Sequence, residues 1–230
     1  MESSTSTTPY KHRIRSFVRR EDRLTDGQQR ALDELLPRYG AAIDQPIDLA
    51  ELFDRTAPTI LEIGFGNGAS LLQMARAQPD WNYLGVEVHR PGIGHLLLQL
   101  EQEPIDNIRI VAADAQQVLK HLPADSLHGL QLYFPDPWHK KRHHKRRLVQ
   151  APWAQTVRQK LLPGGFLHMA TDWENYAEHM LDVLAKTDGL RPANPAETAA
   201  RLSARPPTRF ELRGRRKGHD VWELVYIRSD

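Results

Sequence analysis

Short apolar runs of strand type alternate with segments of helical periodicity along most of the chain, and this alternation constrains the fold more than any other feature. The strand-type runs are Thr59–Ile63, Tyr83–Val88, Ile108–Ala112, Leu127–Phe134, Gly165–Thr171 and Val221–Arg228. The helical segments are Ala69–Ala77, Gly92–Glu101, Ala115–His121, Ala151–Leu162 and Trp173–Lys186. Because repeated strand, helix, strand units form a parallel sheet covered on both faces, we expect an α/β fold with a mostly parallel sheet.

The domain organisation follows from length and local composition. A chain of 230 residues can bury one substantial core, so we expect a single domain over residues 13–230. Residues 1–12 begin with a Ser/Thr-rich stretch and are predicted to be a disordered tail. Residues 13–40 form a basic arm that leads into a helix at Asp26–Leu36, and a Pro/Arg-rich segment over residues 191–217 feeds the last strand.

The composition excludes several classes of protein. Without cysteine there is no disulfide, no thiolate zinc site and no thiol nucleophile, which fits a reducing compartment. No apolar run approaches the length of a membrane span. The Ser/Thr and Arg bias of the start is also typical of organellar transit peptides, but Glu2, Glu21 and Asp22 weigh against targeting. We therefore expect a cytoplasmic protein without a membrane partner.

Positive charge is concentrated in three places although the formal net charge is only +2. The clusters are Lys11–Arg23, Lys140–Arg147 and Arg209–Lys217. Such clustering indicates a polyanionic partner, and we expect Arg142, Lys145, Arg146 and Arg147 to contact phosphates. A solvated helix face is the alternative. His143 and His144 in the second cluster, with His139 just before it, suggest a metal site, but the surrounding cations oppose it and we expect no metal.

The stretch Phe134–Trp138 carries a single carboxylate between two prolines. Because proline fixes its own φ and restricts the residue before it, Asp136 is predicted to lie on a short rigid elbow. Trp138 has two interpretations, as a platform that stacks on a base or as a buried plug at the hinge. An acid, an aromatic ring and the basic run that follows together suit the binding of a nucleic acid.

A glycine-rich loop follows the first strand. Gly64 and Gly66 allow a sharp turn and a close approach of the backbone to a ligand, just before a helix opens at Ala69. The glycines alone fit both NAD and S-adenosylmethionine. Glu62 at the strand end favours the second, since a carboxylate is a poor neighbour for a pyrophosphate and a good one for an ammonium group.

Two further acids follow the next two strands. Glu87 is placed to accept hydrogen bonds from the vicinal ribose hydroxyls of either cofactor. Asp114 is placed to accept from an adenine amino group, and its alternative role is to cap the next helix. Ligands of such folds bind beyond the carboxyl ends of the strands, so we expect these acids to lie close together.

The chain closely resembles the bacterial tRNA (guanine-N7)-methyltransferases, which are class I enzymes that use S-adenosylmethionine. The resemblance is carried by Arg13–Arg19, Leu61–Gly66, Gly85–His89, Phe134–Lys140, His168–Trp173 and Pro207–Glu211. The Phe-Pro-Asp-Pro-Trp and Thr-Asp-Trp blocks are specific to that family, whereas many proteins share the glycine-rich loop. The resemblance covers nearly everything after the tail. It implies a Rossmann-like, seven-stranded sheet with helices on both faces and an antiparallel last strand.

The resemblance also implies roles for individual residues. It implies that the cofactor site is lined by Glu62, Glu87, Asp114 and Asp136, with Asp136 as the catalytic residue. It implies that the tRNA substrate is held by Lys140, Asp172, Thr208, Arg209, Phe210 and Glu211. The family commonly has lysine where Arg209 stands, which keeps the charge but changes the donor geometry. Asp172 has an alternative role as a helix cap.

The expected reaction is methylation of guanine N7 at position 46 in the variable loop of tRNA. Guanine N7 carries a lone pair and no proton, so orientation and charge stabilisation must do most of the catalysis. Asp136, Asp172 and Glu211 are each able to bind the Watson–Crick edge of the base. We expect no obligatory protein partner, and either a monomer or a homodimer.

Two alternatives belong to other classes of protein, and a third is a methyltransferase with a different substrate. An NAD-dependent oxidoreductase shares the glycine-rich loop and Glu87 but leaves the basic run without a purpose. A non-catalytic RNA-binding module accounts for the charge and not for the acids at the strand ends. A methyltransferase for protein or free nucleoside is disfavoured by the extent of positive charge.

Overall fold

The computed structural model describes residues 16–17, 23–208, 211–212, 214, 218 and 220–229. The tail predicted for residues 1–12, and the roles predicted for Arg209 and Phe210, lie outside the described residues. They stay predictions, as does the division of the chain into a tail and one domain.

The described residues form a sheet with helices on both sides. The helices are α1 Asp26–Glu34, α2 Leu36–Tyr39, α3 Leu49–Phe53, α4 Ala69–Ala77, α5 Arg90–Gln102, α6 Ala115–His121, α7 Ala151–Lys160, α8 Glu174–Leu184 and α9 Pro195–Ala204. The strands are β1 Thr59–Ile63, β2 Asn82–Val86, β3 Ile108–Val111, β4 Leu127–Tyr133, β5 Leu161–Thr171, β6 Leu190–Pro192 and β7 Trp222–Arg228. A 3-10 helix spans Lys141–Arg146.

The sheet has seven strands in the order β3-β2-β1-β4-β5-β7-β6. Strands β1 to β5 pair in parallel, and β7 is antiparallel to both β5 and β6. The chain runs outward from β1 to β3 and then returns to place β4 on the other side of β1, which makes the β1/β4 boundary the topological switch point. The predicted fold class, including the antiparallel last strand, is confirmed.

Two apolar layers bury the faces of this sheet. All five residues of β1 are buried, and they alternate between the layers: Leu61 and Ile63 pack with α6, α7 and α8, whereas Ile60 packs with α1, α4 and α5. A strand covered on both faces reads as a continuous apolar run, which is what the sequence shows here. Glu62 is the exception in that run, and it lies at 3% exposure.

The structure differs from the sequence prediction mainly at the ends of elements and in short ones. Strand β6 was not predicted because it has three residues and ends in Pro192. Helix α9 lies inside the segment predicted only as Pro/Arg-rich, and it begins with a capping box formed by Asn194 and Glu197. The leading helix divides at Leu35 into α1 and α2. Within the described ranges, no helix is long and apolar enough to cross a membrane.

Helix α5 packs directly on the loop between β1 and α4. A Cβ added at Gly92 would lie 2.1 Å from the carbonyl oxygen of Gly66, closer than two such atoms ever approach. The obstacle is backbone, so the loop itself would have to move. By contrast, a Cβ added at Gly27 in α1 would meet only Leu98 at an ordinary contact distance of 3.9 Å.

We predict that Gly92→Ala lowers the free energy of unfolding by about 1–3 kcal/mol, because the added methyl group overpacks the contact with the loop. The matched control Gly27→Ala should leave stability unchanged or raise it by up to about 1 kcal/mol, since alanine is the better helix former. Urea denaturation of the three proteins measures both effects. Equal stability of the two variants would contradict the proposed packing.

Candidate active site

Two adjoining cavities open at the carboxyl edge of the sheet. The larger, of about 510 Å³, lies beyond β1 to β4, and the smaller, of about 470 Å³, lies over the start of α4. Gly64, Tyr133 and Phe134 line both cavities and form the wall between them. The parallel register explains the convergence, because Ile63 is opposite both Val86 and Leu132, so the loops after these strands begin at the same level.

The glycine-rich loop adopts the left-handed backbone that its sequence predicts. Gly64 and Gly66 have φ of 76° and 61°, where other residues are strained. A Cβ added at either position would meet nothing within 4 Å, so the loop leaves open space beside its backbone. Helix α4 starts immediately afterwards, and its N-cap residue is Gly68, which has no side chain to cap the first turn; the side-chain oxygen of Asn67 accepts from the Ala69 amide at 3.4 Å. The loop is therefore a cradle that a polar ligand can approach closely.

Glu62 lies at the base of the smaller cavity. Its Oε2 atom has no hydrogen-bond partner among the described residues, although the side chain is buried. Burial, together with the smaller effect of the nearby charge of Glu87, raises the pKa of Glu62 to about 8. An orphaned buried carboxylate is costly unless a cation neutralises it. Glu62 is thus an acceptor of the kind that the ammonium group of an amino-acid ligand requires.

Glu87 joins the two loops that border the larger cavity. Its Oε2 accepts a hydrogen bond from the Gly66 amide at 2.9 Å, and its Oε1 accepts from the amides of Val88 and His89 at 2.7 and 2.9 Å. The carboxylate also lines the larger cavity. Glu87 therefore fixes the glycine-rich loop relative to the start of α5, a role that the sequence did not indicate.

Asp114 lines the same cavity from the third strand. Its side chain accepts a hydrogen bond from the Gln116 amide at 2.9 Å and caps α6, which is the alternative considered from the sequence. The cap and a ligand contact are compatible because a carboxylate has lone pairs to spare. The ligand contact stays a prediction.

The segment from Phe134 to Trp138 is a rigid elbow. Phe134 and Trp138, at its two ends, have φ of 51° and 50°, a left-handed conformation that is rare for bulky residues. Asp136 lies exposed between the two prolines and lines the larger cavity. The elbow thus presents a carboxylate beside the cavity that Glu87 and Asp114 also border.

Trp138 packs as a plug at the end of the elbow. Its indole N–H donates to the carbonyl oxygen of Ser16 at 3.1 Å, and the guanidinium of Arg146 lies 3.7 Å from the ring centroid. Ser16 and Phe17 complete the rim of the larger cavity. Of the two interpretations of Trp138, the hinge plug is the one that these contacts favour.

The basic run after the elbow divides into exposed and buried members. Lys140, Arg142 and Lys145 are exposed, as expected for residues that contact phosphates. Arg147 is only 3% exposed and donates to protein acceptors, including the carbonyl oxygen of Pro137 at 2.9 Å. This placement argues against the phosphate contact expected for Arg147, because its donors face the interior. Among the described residues, no three metal-ligating side chains come together.

The described residues that are expected to hold the substrate lie in different parts of the fold. Thr208 lines that cavity, and its hydroxyl accepts from the Glu211 amide at 3.1 Å. Asp172 follows β5 and is half-buried, and the N-cap position of α8 falls on the next residue, Trp173. Both roles considered for Asp172 stay predictions. Lys140 lies beyond the elbow.

Glu211 is the start of a buried chain of polar contacts that the sequence did not reveal. It is 1% exposed and accepts from Arg205 at 2.6 Å, and Arg205 also pairs with Glu223. Glu223 in turn binds His168 Nε2 at 2.8 Å, and His168 Nδ1 contacts the hydroxyl of Tyr133 at 3.1 Å. The chain ties the segment around Thr208 to the wall between the cavities.

The Tyr133 hydroxyl at the end of this chain stays protonated. Burial raises the pKa of Tyr133 well above its ordinary value, and the charge of Glu62 raises it further. The neutral hydroxyl is therefore available as a hydrogen-bonding partner of His168 Nδ1.

The sheet order, the glycine-rich loop after β1 and the acids after β2 and β3 define the class I methyltransferase fold. Among solved structures, the 16S rRNA methyltransferase KamB matches with a TM-score of 0.55 at 16% identity, over 81% of this chain and 96% of that one. The aminoglycoside resistance methyltransferase NpmB1 matches with a TM-score of 0.52 at 16% identity, over 78% and 91%. At such identities the likeness shows the fold alone.

Relatives of higher identity show the family. Residues 56–224 match the family described as "Putative methyltransferase". The tRNA (guanine-N(7)-)-methyltransferase of Alkalilimnicola ehrlichii is 56% identical, over 100% of this chain and 99% of its own. That of Alcanivorax borkumensis is 53% identical, over 93% and 91%. The chain belongs to the tRNA (guanine-N7)-methyltransferase family, which confirms the family and the enzyme class predicted from the sequence.

We predict that Arg205→Met lowers the free energy of unfolding by about 3–5 kcal/mol, because it leaves the carboxylates of Glu211 and Glu223 buried without their cation. The control Arg191→Met breaks an exposed pair with Glu197 and should cost little. Chemical denaturation measures both variants. A loss for Arg205→Met no larger than that for Arg191→Met would show that the buried chain does not stabilise the fold.

Proposed function

We propose that this enzyme methylates N7 of guanosine 46 in the variable loop of cytoplasmic tRNA, with S-adenosylmethionine as the methyl donor. Family membership supports the enzyme class, whereas the position that is methylated in the tRNA is part of our proposal. The observation that carries the proposal is Asp136, a carboxylate held on a rigid elbow at the rim of the larger cavity. The enzyme acts as a monomer or a homodimer and needs no other protein.

The two cavities fit the two halves of the methyl donor. Glu62 binds the ammonium group in the smaller cavity, where its Oε2 has no protein partner among the described residues. Glu87 and Asp114 border the larger cavity and accept from the ribose hydroxyls and the adenine amino group. Gly64 and Gly66 provide the open backbone between these groups. When bound, S-adenosylmethionine supplies an electrophilic methyl group on a sulfonium.

Asp136 orients the guanine and stabilises its developing charge. Guanine N7 has an in-plane lone pair and no proton, so no general base is needed before the attack. As the purine becomes cationic, a fixed carboxylate nearby lowers the energy of the transition state without having to reorganise. A group that is held within a rigid elbow also avoids the entropic cost of positioning.

The remaining residues bind the tRNA. Lys140 follows the elbow and Asp172 follows β5, whereas Thr208 and Glu211 belong to the segment beside the smaller cavity. The assignment of Arg209 and Phe210 to the substrate rests on the family resemblance alone. Because Glu211 is buried against Arg205, we assign it to holding that segment and leave the edge of the guanine to Asp136 and Asp172. Arg142, Lys145 and Arg146 contribute phosphate contacts, whose binding energy offsets the unstacking of the target base.

An NAD-dependent activity is less compatible with this site. The carboxylate of Glu62 is buried beside the glycine-rich loop, where a dinucleotide would place its pyrophosphate. A non-catalytic RNA-binding role does not explain why the buried Oε2 of Glu62 has no hydrogen-bond partner among the described residues.

We predict that binding of S-adenosylhomocysteine at pH 7 releases most of a proton from Glu62. With a pKa of about 8 the free protein holds this carboxyl protonated at pH 7, and the ammonium group of the ligand draws it into its charged form. The affinity should therefore increase as the pH rises towards 8. Titration calorimetry in two buffers of different ionisation enthalpy measures the proton.

The variant Glu62→Gln should bind more weakly and release no proton from this position. The control Glu51→Gln, on an exposed face of α3, should behave as the wild type does. Proton release that persists in Glu62→Gln would assign the titration to another group.

We predict that Asp136→Asn lowers kcat by about 100-fold or more, in the range found when a single stabilising group is removed from an active site. Binding of S-adenosylhomocysteine should change little, because the cavity keeps its shape. The control Asp106→Asn alters an acid at the far surface that pairs with Arg38 and should have no effect. Methyl transfer to bulk tRNA and mapping of the product nucleotide measure the outcome.

Methylation at a position other than guanosine 46 would contradict the proposed site in tRNA. Full activity of Asp136→Asn would contradict the role of the elbow.

A further inference from the structure

The elbow that carries Asp136 is tied to the sheet at its start, where the Phe134 amide donates to the carbonyl oxygen of Ala170 at 2.8 Å. Pro135 and Pro137 have no amide proton, so neither can anchor the backbone by donating a hydrogen bond. The residues at the two ends, Phe134 and Trp138, are in the left-handed region, which costs energy and persists only where the surroundings enforce it. The backbone of the two prolines can therefore be fixed only through hydrogen bonds that their carbonyl groups accept.

Arg147 donates a hydrogen bond to one of these carbonyl groups. Its Nε donates to the carbonyl oxygen of Pro137 at 2.9 Å, one residue beyond Asp136. Its Nη2 donates to the side-chain oxygen of Asn175 at 2.8 Å, and its Nη1 lies 3.4 Å from the main-chain oxygen of the same residue. The guanidinium thus connects the elbow to the first turn of α8.

The surroundings of Arg147 suit a fixed internal cation better than a phosphate contact. The guanidinium lies 4.8 Å from the ring centroid of Tyr176, and His144 Nε2 is 3.2 Å from its Nη2. These neighbours and the oxygens of Pro137 and Asn175 are neutral. Burial lowers the pKa of Arg147, so the fold bears a cost to keep this cation inside. A rigid fork of donors that satisfies several acceptors at once is a property of arginine and not of lysine.

We propose that Arg147 and Asn175 are positioning residues for methyl transfer, which hold the carbonyl of Pro137 so that Asp136 keeps its place beside the cavity. This inference rests on the proposed role of Asp136. It separates Arg147 from its neighbours in the basic run, because Arg147 acts on the elbow while the exposed cations act on the tRNA.

The test compares Arg147→Lys with Asn175→Ala. Arg147→Lys keeps the charge but loses the fork, and Asn175→Ala removes one acceptor while the arginine stays. We expect kcat to fall by about 10- to 100-fold in the first, as for a small displacement of a catalytic group, and by a smaller factor in the second. The KM for tRNA, and the slope of log affinity against log salt concentration, should stay within error of the wild type.

Hydrogen exchange of the elbow gives a readout that does not depend on activity. The amides of Asp136 and Trp138 should exchange faster in both variants, because their segment has lost its anchor, whereas the amide of Phe134, bonded to Ala170 in the sheet, should not change. Since this measurement needs no methyl transfer, it tests the anchoring even if the wild type does not methylate tRNA. Failure of the inference is thereby distinguished from failure of the proposed function.

Two further variants calibrate the test. Lys145→Met removes an exposed cation and should lower the salt slope by about 0.7–0.9, the value for one phosphate contact. Arg38→Lys, on an exposed surface pair with Asp106, should match the wild type throughout. If Arg147→Lys does not fold, Asn175→Ala decides the matter by itself.

The inference is overturned if Arg147→Lys or Asn175→Ala keeps the wild-type kcat and the wild-type exchange of the elbow. It is also overturned if either variant behaves like Lys145→Met, with a lower salt slope and an unchanged elbow.

Discussion

The parallel pairing of β1 with β4 is the constraint on which the rest of the structure depends. It places Ile63 opposite Leu132, so the glycine-rich loop and the elbow leave the sheet side by side. One of these loops opens space for a ligand, and the other presents a carboxylate to it. A slip by one residue would exchange the side chains of β4 between the two apolar layers and offset the two loops. The apolar layers on both faces of the sheet prevent such a slip.

The distribution of charge follows a consistent physical pattern. The acids Glu62, Glu87 and Asp114 lie around the cavities, where a cationic or hydroxyl-rich ligand can satisfy them. Exposed cations lie outside, beyond the elbow. Arg147 and Arg205 are of a third kind, because they are buried and fix the segments on either side of the cavities. The two segments that we propose to hold the substrate are thus anchored by internal guanidinium groups.

The fold and the acids of the site could be predicted from the sequence because their signals are local. The run at Thr59–Ile63 and the loop after it are read from neighbouring residues, whereas the seven-stranded sheet with its antiparallel last strand was predicted from the family resemblance. The family and the enzyme class were confirmed, while the roles of individual site residues stay predictions. The capping box at Asn194 and Glu197 was an available signal for α9 that composition obscured.

Other features could not be predicted because they depend on distant residues. Nothing in the basic run distinguishes the buried Arg147 from the exposed Arg142, since the difference arises from Pro137 and α8. The contacts of Arg205 with Glu223, and of Glu223 with His168, join β5 and β7 to a loop far along the chain. Pairings of this kind are decided by tertiary packing.

The central claim is that a fixed carboxylate lies where the methyl group is transferred. A crystal structure with bound S-adenosylhomocysteine tests it most directly. The account predicts the ligand amino group on Glu62, the adenosine between Glu87 and Asp114, and the sulfur at the junction of the two cavities beside an unmoved elbow. A sulfur atom remote from Asp136, or an elbow that has to refold to reach it, would contradict the account.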